Sequence, residues 1–314
     1  MPPAPLSNQA KGVALGFAGG LVISFDVPMI RLADSDPWFA MGLRGFCIAI
    51  VFGILYAFAP RSLATPKNPF KDRDWLIVGT VYGISNIFFT LSVFHTSTAN
   101  LVFILAFNSM LAAVLAWWLI GEKPFAATWA AILATLVGVA IIVSGGLATG
   151  TGWGDITSVA CAATLAYALV HARKSGKDMS LAPGLGGLVA GFFALPFILH
   201  DPQLPGNIGW LWANGLIVVP IAGFCLALAP SFIPAPQVAI FYLLETVLAP
   251  IWVWYVFGEE ISTRTFVGGA IVLGAILAHS MWGLLPGQTP CDGCAVMASN
   301  GNGKITEGKS ARNC

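Results

Sequence analysis

The chain alternates between long oily stretches and short polar separators, and each oily stretch is about as long as a bilayer is thick. Windows of about 20 apolar residues cross the hydrocarbon core as helices. Such windows fall near 12–31, 37–58, 75–95, 97–119, 126–146, 154–173, 181–199, 208–230, 236–257 and 265–285. The separators carry turn formers and charge, as in "APRSLATPKNPFKDRDW" after the second window, "GEKPF" after the fourth and "ARKSGKDMS" after the sixth. The first window is too long for a signal-peptide core and is followed by others, so it reads as a retained span. The pattern predicts an all-α integral membrane protein with ten transmembrane helices.

Composition fits that solvent. Of 314 residues, 57% are hydrophobic and 9% charged, against about 25% charged in soluble domains. Mean hydropathy is +0.81. Lipid, as a binding partner, must cover the apolar surface that water would reject. A net charge of +1 with no basic stripe gives no footprint for nucleic acid.

Lysines and arginines set the expected orientation. With the N-terminus inside, Lys11, Arg61, Lys67, Lys71, Arg73, Lys123, Arg173, Lys174, Lys177, Lys304, Lys309 and Arg312 all lie on the cytoplasmic side. Arg31 and Arg264 alone lie outside, and Arg44 is in a span. Both termini are expected in the cytoplasm and the protein in the plasma membrane, for a bacterium the inner one.

Two stretches recur. "NSMLAAVLAWWLIGEKPFAAT" (108–128) resembles "ETVLAPIWVWYVFGEEISTRT" (245–265) without gaps at an offset of 137. "GVALGFAGGLVISFDVPMIR" (12–31) aligns with "GDITSVACAATLAYALVHAR" (154–173) at an offset of 142. The common order of the two matches indicates a duplication. Five spans per half is an odd number, so the second half would be inverted relative to the first. Secondary transporters have that plan, with binding sites near the midplane between the halves.

The paired "GE" at 121–122 and 258–259, "GDITSVACAATLAYAL" opening the second half, and "FAMGLRG" around Arg44 carry a resemblance. The sequence resembles the drug/metabolite transporter superfamily, in its EamA-type ten-span branch, over residues 10 to 286. The resemblance implies two inverted five-helix repeats, alternating access and movement of small metabolites. The expected divisions are a cytoplasmic N-terminus (1–11), a first repeat (12–146), a second, inverted repeat (154–286) and a disordered cytoplasmic tail (287–314).

Ionisable residues inside spans mark candidate sites, because an isolated charge there costs about 2.5–3.5 kcal/mol on insertion scales. Asp26 and Arg44 fall at similar depth on sequential, antiparallel spans; they form a structural ion pair, an outer gate, or leave Arg44 to bind a carboxylate. Pro28 leaves the Ser24 carbonyl without its helical donor, a place for a kink. Glu245 lies about 14 Å from the inner end of its span by a rise of about 1.5 Å per residue, near the midplane. By that count neither Asp26 nor Arg44 shares its level. Its repeat mate, Asn108, is also halfway along a span, as a shared central site would require. The alternative is a protonated glutamate hydrogen-bonded for packing. Tyr242 and Trp252 flank the Glu245 face, Tyr82 and Asn86 share a face of the third span, and Tyr167 matches Phe25 in the repeat. Each serves either packing or an aromatic cavity for a flat or amphipathic solute.

These residues predict a secondary transporter of small organic metabolites, amino acids or related amphipathic compounds, working as an exporter. An uptake carrier or exchanger for a larger metabolite or organic cation is the alternative, and an intramembrane enzyme a more distant one. No G-x-x-x-x-G-K-[ST] loop is present, so ATP is not the expected energy source. No cofactor or metal is expected: Cys291 and Cys294 are half a zinc site at most, and Cys47, Cys161 and Cys225 read as small hydrophobes. A monomer is compatible with this plan.

Overall fold

The computed structural model describes residues 8–58, 69–121, 126–175, 177, 179, 181–228 and 235–282. The expected tail, with Cys291 and Cys294, lies outside the described residues. Everything described is helix or connection, with no strand among the described residues. The order is α1 (Asn8–Ile23), α2 (Asp26–Leu32), α3 (Pro37–Phe58), α4 (Arg73–His95), α5 (Thr98–Ala106), α6 (Asn108–Ile120) and α7 (Ala126–Thr149). After it come α8 (Gly152–Ser175), α9 (Ala182–His200), α10 (Ile208–Ala213), α11 (Val219–Leu228), α12 (Ala235–Phe257) and α13 (Thr263–Trp282).

Among the described residues, eight helical stretches are long and apolar enough to cross a membrane, from Lys11–Leu32 to Ile208–Leu226, and Leu244–Phe257 and Thr263–Ala278 are shorter apolar helices. Large hydrophobic side chains such as Trp118, Tyr255 and Phe58 face outward, the arrangement of a bundle solvated by lipid.

Local sequence explains where helices stop. Asp36 Oδ2 accepts from the Trp38 and Phe39 amides, Asp72 Oδ1 from Asp74 and Trp75, and Ser97 Oγ from Asn100, capping α3, α4 and α5. The two "GE" glycines close α6 and α12 in the left-handed region, Gly121 at φ 84° and Gly258 at φ 67°, which glycine adopts without a Cβ penalty.

Three spans are interrupted. The first breaks at Ser24–Phe25 between α1 and α2, where Pro28 removes a helical donor. The fourth breaks at Phe107, immediately before Asn108. The eighth carries a π-helical segment, Asn214–Val218, between α10 and α11.

Close glycine contacts bring the helices together. A Cβ on Gly45 would lie 2.6 Å from the Gly187 carbonyl oxygen, and one on Gly187 would lie 2.5 Å from that of Gly45. Gly138 and Gly268 stand in the same relation at 2.7 and 2.6 Å. Thus α3 packs on α9 and α7 on α13, backbone to backbone. α1 lies against α11 and α12, while α8 lies against α4, α5 and α6.

Candidate functional site

Arg44 projects from α3 into the bundle and is buried. Its Nη2 donates to Asp26 Oδ2 at 2.6 Å, its Nη1 to Asn86 Oδ1 at 2.8 Å and its Nε to Asn214 Oδ1 at 2.8 Å. Its guanidinium lies 5.1 Å from the Phe89 ring centroid. Asn214 completes the ring by donating to Asp26 Oδ1 at 2.7 Å and to the Asp26 carbonyl at 3.2 Å. All three guanidinium nitrogens and both carboxylate oxygens are engaged. A buried charge pair survives in an apolar interior only when its hydrogen-bonding capacity is met in this way. α2, α3, α4 and the π segment of the eighth span are thereby tied together.

Glu245 stands nearby on α12. It is half-buried, and its carboxylate makes no hydrogen bond or ion pair with another described residue. Its chain neighbour Leu244 packs beside Gly20 of α1, below the break at Ser24–Phe25, and Trp252, two turns further along α12, reaches Ser24.

The other expected residues divide. Asn86 belongs to the Arg44 cluster. Trp252 donates from Nε1 to Ser24 Oγ at 3.1 Å and stacks on Phe25 at 5.1 Å, so it holds the break in the first span. Asn108 opens α6, half-buried and with no polar side-chain partner among the described residues. Tyr82 instead packs against a cluster of Trp75, Val78, Met179 and Ala182. Tyr167 stacks on His171 at 5.7 Å, and His171 Nε2 lies 3.3 Å from Asp74. Both tyrosines belong to the packing near the start of α4. Tyr242 lies in α12, and its side chain is outside what the structure describes.

Sequence reasoning missed a second polar group. Asp155, fully buried at the start of α8, accepts from Thr96 Oγ1 and from Asn100 Nδ2, the latter at 3.0 and 3.3 Å. Thr265 Oγ1 donates to Asn100 Oδ1 at 2.6 Å. At the same end of the bundle Arg31 pairs with Glu259. Arg31 Nη2 also donates to the carbonyls of Thr96 at 2.7 Å and Val93 at 3.2 Å, while Glu259 Oε1 accepts from the Thr98 amide at 3.0 Å. Asn214 and Asp155 were visible as polar letters within apolar windows; their partners were not.

Among the described residues the chain is a helical bundle with broken spans and a buried, hydrogen-bonded charge cluster, as a chain that crosses a membrane requires. The profile of the EamA-like transporter family matches residues 10–144 and again 152–281, and the chain belongs to that family. It is thus a multi-pass membrane protein of the drug/metabolite transporter type. A solved crystal structure similar in fold is 17% identical, with a TM-score of 0.59 over 87% of this chain and 98% of its own.

Proposed function

We propose that the chain is a secondary transporter that exports small organic metabolites, amino acids or related amphipathic compounds, by alternating access. In this reading ten spans form two inverted five-helix repeats, 12–146 and 154–286, with both termini in the cytoplasm. The packing supports it. Exchanging the halves turns the contact of α1 with α11 into that of α8 with α4, and returns the α3–α9 and α7–α13 contacts to themselves. Ala40, Gly42, Leu43 and Gly45 recur as Ala182, Gly184, Leu185 and Gly187 at an offset of 142. Arg44 then corresponds to Gly186, so the charged pair belongs to the first half only, and Asn214 joins it from the second.

The observation that carries the function is Glu245, a carboxylate with no hydrogen-bond or ion-pair partner among the described residues, near a pair that is already neutral. Asp26 and Arg44 cancel, so ionisation of Glu245 would leave the centre with one surplus negative charge. A proton or a protonated amine can neutralise it, and the two compete for one carboxylate. A carrier in which either occupant permits the conformational change, and an empty site does not, exchanges solute for protons across the membrane. Asn108, at the pseudo-symmetric position, supplies an uncharged polar group to the same path. The chain acts as a carrier rather than an enzyme.

One observation favours a second reading, transport of an organic cation. Arg44 is already ion-paired with Asp26 and bonded through each of its nitrogens, so a substrate carboxylate meets no uncompensated cation there.

Glu245→Gln, reconstituted in vesicles and checked for folding, decides the matter. Uptake of amine-bearing solutes should fall by about tenfold or more, the scale of one lost charged contact. Wild-type uptake, exchange and binding in this variant would refute the central role of Glu245.

A further inference from the structure

The first span and α12 are joined by contacts that climb in step. Trp252 meets Ser24 and Phe25. Seven residues further on Glu259 meets Arg31, and seven residues before Trp252 stands Glu245, next to Leu244, which packs beside Gly20. Two helical turns take about 7.2 residues, so Glu245 and Trp252 lie on one stripe of α12, which points toward Glu259 just past its end. The same short helix, α2, has Asp26 as its first residue and Arg31 in its last turn.

The upper contact is concentrated. Arg31 and Glu259 gather α2, the turn between α4 and α5, and the connection from α12 to α13 at one point, through the Thr96 and Val93 carbonyls and the Thr98 amide. Thr96 passes the tie inward to Asp155. A vestibule of about 490 Å³ opens over this point, lined by Arg31, Asp34, His95 and Thr96 among others. Arg31 Nε and Thr98 Oγ1 are buried with no hydrogen-bond partner among the described residues.

We propose that the Arg31–Glu259 pair is the outer gate of the transport path, and that α2 couples it to the charge cluster at Asp26. α2 is a lever hinged at Ser24–Phe25. A change of occupancy at Glu245 acts through α12, which packs against α1 and α2 on the two sides of the hinge, and shifts the position of Arg31 at the upper end of α2. The gate residues belong to different halves, so the pair must separate for the halves to part on the outside. This inference rests on the alternating-access reading above.

Arg31→Cys with Glu259→Cys, joined by a reducible bifunctional thiol reagent, tests the gate directly. Linkage verified by mass should reduce transport at least about fivefold, within the usual range of coupling between sites, and reductant should restore it. The unmodified protein, treated identically, should be unaffected. Exchanging the charges, Arg31→Glu with Glu259→Arg, should recover transport lost in Glu259→Gln. Full transport by the linked protein would overturn the gate while leaving saturable, Glu245-dependent exchange intact. Loss of saturable exchange in the unmodified protein would instead overturn the carrier reading.

Discussion

The side-chain amide of Asn214 joins both partners of a buried ion pair: its oxygen accepts from Arg44 Nε at 2.8 Å and its nitrogen donates to Asp26 Oδ1 at 2.7 Å. Asn214→Ala removes one donor and one acceptor and should destabilise the protein by about 1–3 kcal/mol. Arg44→Met should cost more, about 3–5 kcal/mol, because Asp26 is left charged and unpaired. Asp26→Asn in the Arg44→Met background should recover much of that loss. Thermal unfolding in detergent, taken as a double-mutant cycle, measures the coupling; additive effects would contradict it.

Gly45 and Gly187 leave no room for a methyl group, since each prospective Cβ meets a backbone carbonyl rather than a flexible side chain. Alanine at either position should force α3 and α9 apart at a cost of about 1–3 kcal/mol. Gly53 on α3 has nothing within 4 Å of its prospective Cβ. Gly53→Ala should therefore be neutral or stabilising by up to about 1 kcal/mol, from helix propensity alone. Comparing the three variants separates interhelical contact from a general intolerance of α3 to change.

Asp155 binds donors from α5 and the α4–α5 turn, and both lose their acceptor in Asp155→Ala. We expect a loss of roughly 2–5 kcal/mol, about 1–3 kcal/mol for each buried group left unmet. Thr96→Val, which deletes one hydroxyl donor, should lose only part of this. Equal melting temperatures for all three proteins would show that the cluster does not support the fold.

Lys177 holds Asp72 and Asp74 at 2.7 and 2.8 Å where the link between α8 and α9 meets the start of α4. Its ammonium, together with the capped amides of Trp75 and Asp74, keeps the Asp72 carboxyl below the usual carboxylate range. The hydrogen bond to Asp72, then that to Asp74, raises Lys177 above the ordinary lysine value. The Asp72 contribution is present above its unfolded value of about 3.9 and is lost as pH falls through the lower folded value. The Lys177 contribution is present below about 10.4 and is lost as pH rises through the higher folded value. Lys177→Met should lower the melting temperature slightly at neutral pH, with a difference that shrinks at both extremes and in high salt. A pH-independent difference would assign the effect to packing of the lysine stem.

The sequence by itself determined what depends on local composition. Hydrophobic length marked the helices, because a bilayer requires a long apolar run of any chain that crosses it. The repeated "GE" marked two helix ends, because left-handed glycine terminates a helix without strain. Asp26 and Arg44 could be matched by depth, since one connection joins their spans. Glu245 was legible as an unusual letter in an oily run. Only the tertiary structure decided which polar groups meet. Asn214 reaches Arg44 across 170 residues, and Glu259 reaches Arg31 across 228. Three spans are broken, and a break changes both depth and direction for every residue beyond it, which a uniform rise does not record. Tyr82 and Tyr167 left packing and a cavity both open in the sequence; the structure shows their neighbours, Trp75 and Met179 for one and His171 for the other. Rotation about a helix axis is set by the neighbouring helices, and an apolar surface that runs all round a membrane helix carries little record of it.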